Sequence, residues 1–146
     1  MEWSRDKFTV SCDPRKVDLR VVAEFLTASY WARGIPADTV SRSIANSLCF
    51  TLLMDDTQIG FARVISDRAT VAYLGDVFVL PEFRGRGLGR WLMECVMSHP
   101  ELQGLRRWIL VTRDAHRLYA QMGFEPLRSP EGYMELHNPD AYGGST

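Results

Sequence analysis

Val77-Phe78-Val79-Leu80-Pro81-Glu82-Phe83-Arg84-Gly85-Arg86-Gly87-Leu88-Gly89-Arg90 runs from an apolar strand, through a loop of arginine and glycine, straight into a segment with helical periodicity. Leu88, Trp91, Leu92, Cys95 and Val96 follow the i, i+3, i+4, i+7, i+8 spacing of an amphipathic helix, which His99-Pro100 ends. Glycine permits positive φ and close backbone approach, so successive N–H groups of such a loop can point at one anion. The helix N-terminus adds about half a positive charge. A pyrophosphate suits this geometry; the plainer alternative is a helix cap with a solvated basic face. Two other phosphate loops are excluded by spacing. GxGxxG would need glycine where Arg90 stands, and GxxxxGK[ST] does not occur.

Working outward, the residues before this stretch read as a three-strand meander, Cys49–Met54, Gln58–Ser66 and Val71–Leu80, with turns at Asp55-Asp56 and Asp67-Arg68. Two helices precede it. The first follows Asp13-Pro14, carries Val17, Val21, Val22, Phe25, Leu26 and Ser29 on one face, and ends around Tyr30–Gly34. The second opens at Ile35-Pro36-Ala37-Asp38 and presents Val40, Ile44 and Leu48. Phe8-Thr9-Val10 is a short first strand. Downstream come a strand at Trp108–Val111, a helix over Ala115–Met122 stopped by Gly123, and two final strands, Phe124–Leu127 and Tyr133–Leu136. The expected order is βααβββαβαββ. It describes an α/β (α+β) fold with a mixed, mostly antiparallel central sheet flanked by helices. We expect one domain over 1–146, with its core from about Phe8 to His137 and a frayed tail from Asn138 to Thr146.

At 146 residues the chain is long enough for one self-sufficient core. A net charge of −1 counts against general nucleic-acid binding, although Arg84, Arg86, Arg90, Arg106 and Arg107 leave an RNA-directed role open. No apolar run exceeds four residues, as in Val71–Leu74, so no membrane span is expected. Met1–Lys7 is charged and lacks the apolar region of a signal peptide, and the expected location is cytoplasmic. Cys12, Cys49 and Cys95 are widely spaced and read as small buried hydrophobes. With three scattered histidines they suggest no metal site.

Arg84-x-x-Gly87-x-Gly89 resembles the (Q/R)xxGx(G/A) signature of the GNAT acetyltransferases, and the expected element order is similar to that fold over almost the whole chain. Ala115-His116-Arg117-Leu118-Tyr119-Ala120-Gln121-Met122-Gly123-Phe124 resembles the family's A-x-x-x-Y-x-x-x-G-F segment. The resemblance implies acetyl-CoA as cosubstrate. Backbone amides of Arg84, Gly85, Arg86, Gly87, Leu88, Gly89 and Arg90 would hold its pyrophosphate, and Val77, Phe78 and Val79 would pair with the pantetheine arm. A backbone N–H near Phe78 would meet the oxyanion. Gly75 is consistent with a bulge or splay that admits the thioester.

Acetyl transfer to an amine needs a neutral nucleophile, oxyanion stabilisation and a proton for the departing thiolate. The resemblance places Tyr119 beside the CoA sulfur as that acid; taken alone it reads as a core aromatic. Asp76, locally unfavourable within a strand, is the candidate base or, alternatively, an anchor for the substrate cation. Many members have Asn where Thr112 falls, so Thr112 or Asp114 would have to replace its contact to the CoA arm. Family members commonly build the acceptor pocket from the region of Tyr30, Trp31 and Arg33. The two aromatics could wall an apolar or cationic acceptor, and Arg33 could hold a carboxylate. The expected activity is N-acetylation of a small-molecule or peptide amine by direct attack. The alternative is a non-catalytic acyl-CoA-binding module. A homodimer through the short final strands is left open.

Overall fold

The computed structural model describes residues 1–143. Six strands form one sheet in sequence order: β1 (Glu2–Arg5), β2 (Phe8–Ser11), β3 (Leu48–Met54), β4 (Thr57–Ser66), β5 (Val71–Val79) and β6 (Arg107–Leu110). All neighbours are antiparallel except β5 and β6. The parallel step follows from the connection, because α3 (Leu88–Ser98) carries the chain back along the sheet before β6 begins.

Helices α1 (Leu19–Ala28) and α2 (Ala37–Ala45) cover one face of the sheet. Val22, Leu26 and Val40 pack there with Phe61 and Phe78. The other face receives Leu88, Trp91, Leu92, Cys95 and Val96 of α3 and Tyr119 of α4 (His116–Ala120), against Val10, Phe50, Leu52, Val64 and Leu74. Alternation along β3 and β5 sends successive side chains to the two clusters, as the strand period of two requires. Phe25 and Phe78 stack at 4.0 Å between ring centroids, which ties α1 to the C-terminal end of β5. Among the described residues no helix is long and apolar enough to cross a membrane.

The mixed, mostly antiparallel architecture agrees with the sequence expectation, and the differences lie in the bounds of elements and in strands at the two ends of the chain. Asp13 does not open α1. Its carboxylate accepts from Arg15 N at 2.9 Å and caps a short 3-10 turn, Pro14–Lys16; Asp18 then caps α1 by accepting from Arg20 N and Val21 N. An additional strand, β1, forms in the charged N-terminal stretch. The expected strands Phe124–Leu127 and Tyr133–Leu136 are absent: Pro126 offers no backbone donor, and Pro130 opens a 3-10 turn, Pro130–Gly132, between them. The observed order is therefore ββααβββαβα. Of the expected frayed tail, 144–146 lies outside the described residues.

Candidate active site

The register of β5 creates the site. Val71–Leu74 pair with Arg107–Leu110, and the pairing ends there. Beyond Leu74 the strands part, so Gly75–Val79 form one wall of a cleft and Leu110–Asp114 the other. On its other side β5 stays paired with β4, but irregularly. Gly75 faces Arg63 and Phe78 faces Phe61, so Asp76 and Val77 together oppose Ala62. This is a bulge, and its left-handed residue is Asp76, at φ 54°, rather than Gly75. The expected irregularity is thus present one residue further along, on a residue type that tolerates positive φ better than most.

The loop at the end of β5 is held by its first arginine. Arg84 Nε donates to Val79 O at 2.9 Å, and Arg84 N donates to Pro81 O at 3.2 Å, so the free amides begin at Gly85. Gly85 and Gly87 adopt φ of 80° and 76°. Gly87 is the N-cap of α3 without a side-chain cap, and nothing lies within 4 Å of where its Cβ would be. Among the described residues the N–H groups of Gly85 through Arg90 have no protein acceptor, since the first bond of the helix is Trp91 N to Gly87 O. An open, uncapped row of donors at a helix N-terminus fits a pyrophosphate. The Arg86 guanidinium lies over the Phe83 ring, and Arg90 reaches Glu94 and Gln121.

The cleft, about 1190 Å³, is lined by Tyr119, Asp76, Val77, Phe78, Val79, Thr112, Asp114, Tyr30, Trp31 and Arg33 among others. It therefore gathers the candidate acid, the candidate base, the strand expected to meet the pantetheine arm and the expected acceptor wall. Tyr119 is 8% exposed and meets Phe124 edge-on at 5.9 Å. Burial pushes its phenol up to about 12, with Tyr30 and Asp114 acting in the same direction. Thr112 Oγ1 accepts from Ala115 N at 3.1 Å and shapes the entry to α4, while Asp114 stays exposed.

Asp76 is the most heavily engaged residue of the site. Its Oδ2 accepts from Arg63 Nε at 2.7 Å and its Oδ1 accepts from Trp31 Nε1 at 2.9 Å, while Arg63 Nη1 donates to Ser47 Oγ at 3.1 Å. The side chains of Arg63 and Asp76 are only 16% and 10% exposed. On the far side of the opening, Tyr30 spans the cleft. Its Oη accepts from Arg113 N at 3.1 Å, and the Arg113 guanidinium stacks 3.8 Å above its ring.

Sequence reasoning missed Arg63, Arg113, Phe25, Tyr73, His137 and Tyr142, all of which line the cleft. The signal for Arg63 was a lone charge inside the apolar run Ile59–Ile65. Arg113 had no local signal, because its role comes from a ring 83 positions earlier. None of the three cysteines lines the cleft, although Cys49 pairs with Arg63 in the sheet. Burial pushes the thiols of Cys12, Cys49 and Cys95 up to about 11, 12 and 12, so none is a thiolate at neutral pH. No group of three His, Cys, Asp or Glu side chains is placed to hold a metal among the described residues.

Comparison with known proteins identifies the family of this fold. Residues 45–126, from before β3 to Pro126, match the family model of the acetyltransferase (GNAT) domain. The chain belongs to the GNAT acetyltransferase family. It is 32% identical to a protein of Gibberella zeae assigned as an acetyltransferase, over 89% of this chain and 86% of that one. A crystal structure of a chain assigned to the GNAT acetyltransferases, from Xanthomonas campestris pv. campestris, is 51% identical and superposes with a TM-score of 0.90, covering 92% of this chain and 96% of that one. A protein from Clostridium acetobutylicum solved with acetyl-CoA shares the fold at 14% identity, with a TM-score of 0.64 over 89% of this chain and 94% of that one. As a GNAT protein the chain is an acyltransferase, and the family uses acetyl-CoA.

Proposed function

We propose that this GNAT enzyme transfers the acetyl group of acetyl-CoA to the amine of a small molecule or peptide by direct attack. The observation that carries this reading is the convergence of Tyr119, Asp76 and the free edge of Val77–Val79 on one cleft, whose lining includes Gly89 from the Gly85–Arg90 row of free amides. Those amides hold the pyrophosphate, and the Val77–Val79 edge pairs with the pantetheine arm. The thioester carbonyl then lies where β5 and β6 part. A neutral amine nitrogen attacks it, and a backbone N–H near Phe78 stabilises the oxyanion. The C–S bond breaks as the tetrahedral intermediate collapses, and Tyr119 donates its proton toward the leaving thiolate.

With its phenol at about 12, Tyr119 remains protonated at every physiological pH and acts chiefly as a hydrogen-bond donor that completes transfer late. Asp76 already accepts from a guanidinium and an indole, so it is better suited to orient the incoming amine than to carry its proton away; water takes that proton. Each of its oxygens keeps a lone pair for the substrate ammonium. Tyr30 and Trp31 wall the acceptor side, and Arg33 is positioned to meet a carboxylate. Thr112 shapes the cleft through the α4 entry, which leaves Asp114 as the freer contact for the CoA arm. Three free thiols, buried or half-buried, support a reducing, cytoplasmic setting, and with no cysteine in the cleft lining direct attack is favoured over a cysteine relay.

The test is release of CoA thiol across a panel of amines, with acetyl-CoA affinity measured by calorimetry for the wild type and Gly87→Glu. Turnover with at least one amine, and loss of acetyl-CoA binding in Gly87→Glu, are expected. Retained affinity in that variant refutes the loop assignment.

A further inference from the structure

Two aromatic rings connect the carboxylate of Asp76 to a guanidinium at the mouth of the cleft. Asp76 Oδ1 accepts from Trp31 Nε1 at 2.9 Å, and the Trp31 and Tyr30 rings meet edge-on at 5.1 Å. The Arg113 guanidinium lies 3.8 Å from the centre of the Tyr30 ring. Because the Tyr30 hydroxyl also accepts from Arg113 N at 3.1 Å, this arginine is held both at its backbone and at its head. A guanidinium that lays its face on an aromatic ring keeps its N–H donors, which lie in its plane, for another partner.

Among the described residues that partner is not a carboxylate of the protein. Arg63 is matched by Asp76, whereas Arg33 and Arg113 enter no ion pair there. Both line the same cleft as Tyr30 and Trp31, whose rings are 41% and 42% exposed. The acceptor side thus holds one carboxylate already facing a guanidinium, and two further guanidinium groups with no counter-charge.

We propose that the amine acceptor also bears an anionic group, a carboxylate or a phosphate, and that Arg113, assisted by Arg33, selects for it. This rests on the reading above in which Asp76 orients the acceptor amine. The ammonium end meets Asp76 and the anionic end meets the in-plane donors of Arg113, so the two ends of a zwitterion fit the two ends of the Trp31–Tyr30 pair. Charge-assisted bonds from a guanidinium fork fix orientation as well as adding affinity. A second cation on the acceptor is disfavoured, because a guanidinium already covers a face of Tyr30 and Arg33 adds like charge. Amino acids, short peptides and aminoalkyl phosphates fit this charge pattern, and diamines do not.

The test measures acetyl transfer to matched pairs: glycine, γ-aminobutyrate and glycylglycine each against its amide, aminoethyl phosphate against ethanolamine, and putrescine as a diamine. In at least one pair the anionic member should have a KM lower by roughly tenfold or more. The carboxylate and phosphate pairs tell the two anions apart. Arg113→Ala should bring that KM ratio close to one, and Arg113→Lys should restore part of it. Equal KM values within every pair, a preference for putrescine, or a ratio that Arg113→Ala leaves unchanged overturns the proposal. Calorimetry of the N-acetyl products in the presence of CoA repeats the comparison without turnover. If no amine is acetylated and the anionic products still bind more tightly through Arg113, the transfer reading fails and the anion site stands. Equal binding of anionic and uncharged products in that case overturns both.

Discussion

Arg63 and Asp76 form a nearly buried ion pair, 2.7 Å from Nε to Oδ2, across the bulge of the strand that walls the cleft. The pair joins β4 to β5, and through Oδ1 it also fixes the Trp31 indole. Removing one partner would strand the other charge in a poorly solvated place. Asp76→Ala should therefore cost roughly 3 kcal/mol. For a chain of this size that lowers the Tm by about 6–12 °C. Asp76→Asn keeps the φ and much of the hydrogen bonding, so it should cost less. If the carboxylate orients the amine, the acceptor KM rises in Asp76→Asn while kcat changes little. A collapse of kcat with unchanged KM would instead make Asp76 the base. Thermal denaturation and initial-rate kinetics check both parts.

Tyr119→Phe removes the hydroxyl proposed to donate the proton and leaves the ring in its apolar seat against Phe124. We expect kcat to fall about 100-fold, with the KM for acetyl-CoA unchanged. Since the phenol is raised to about 12, the wild-type rate should show no loss attributable to Tyr119 below about pH 10. The same shift has a consequence for stability. The folded state holds this proton more tightly than the unfolded chain does. Its contribution is full below pH 10 and is lost as pH rises from 10 toward 12. Alkaline unfolding of Tyr119→Phe should lack that component.

Gly60 has no room for a side chain. A Cβ there would lie 2.9 Å from Leu52 Cδ2 and 2.9 Å from Phe78 O. The carbonyl cannot yield without moving β5, so Gly60→Ala should lose about 1–3 kcal/mol. Because the displaced strand lines the cleft, kcat/KM should fall beyond what the loss of folded protein explains. Chemical denaturation and active-site titration separate the two effects.

Tyr30 and Arg113 meet across the mouth of the cleft with both side chains exposed. Tyr30→Ala should change stability by less than about 1 kcal/mol. Its effect should fall on binding, with the acceptor KM rising about tenfold, because the stacked bridge limits how the acceptor enters. An unchanged KM would show that the bridge opens at no cost during turnover.

His99, 5% exposed, packs against both Trp3 and Phe50 and accepts from Glu101 N through Nδ1 at 3.1 Å. Burial holds its pKa below the ordinary 6.5, and the accepting nitrogen requires the neutral ring. Its contribution to stability is full above pH 6.5 and is lost as pH falls through the lowered folded value. The midpoint of urea unfolding should drop over that range in the wild type and drop less in His99→Gln.

Much of the molecule follows from the sequence alone. Helical and strand periodicities placed α1 to α3 and β3 to β6 within a few residues, because each buries one face and the spacing of apolar residues records that face. Glycine at 85 and 87 ahead of an apolar stripe marked a helix entry suited to an anion, and Tyr119 stood in a recognisable segment. All of these are local properties of the chain. Tertiary structure alone decided which of the polar residues near the cleft pair with one another. Asp76 reads as an unfavourable strand residue until Arg63 and Trp31, 13 and 45 positions away, are seen to share its carboxylate. Tyr30 reads as a helix end until Arg113 stacks on it. The C-terminal residues have strand composition, yet composition does not say whether an edge within reach will pair with them. Apolar spacing is written one residue at a time, whereas the partner of a charge or of a free strand edge is set by where distant segments come to lie.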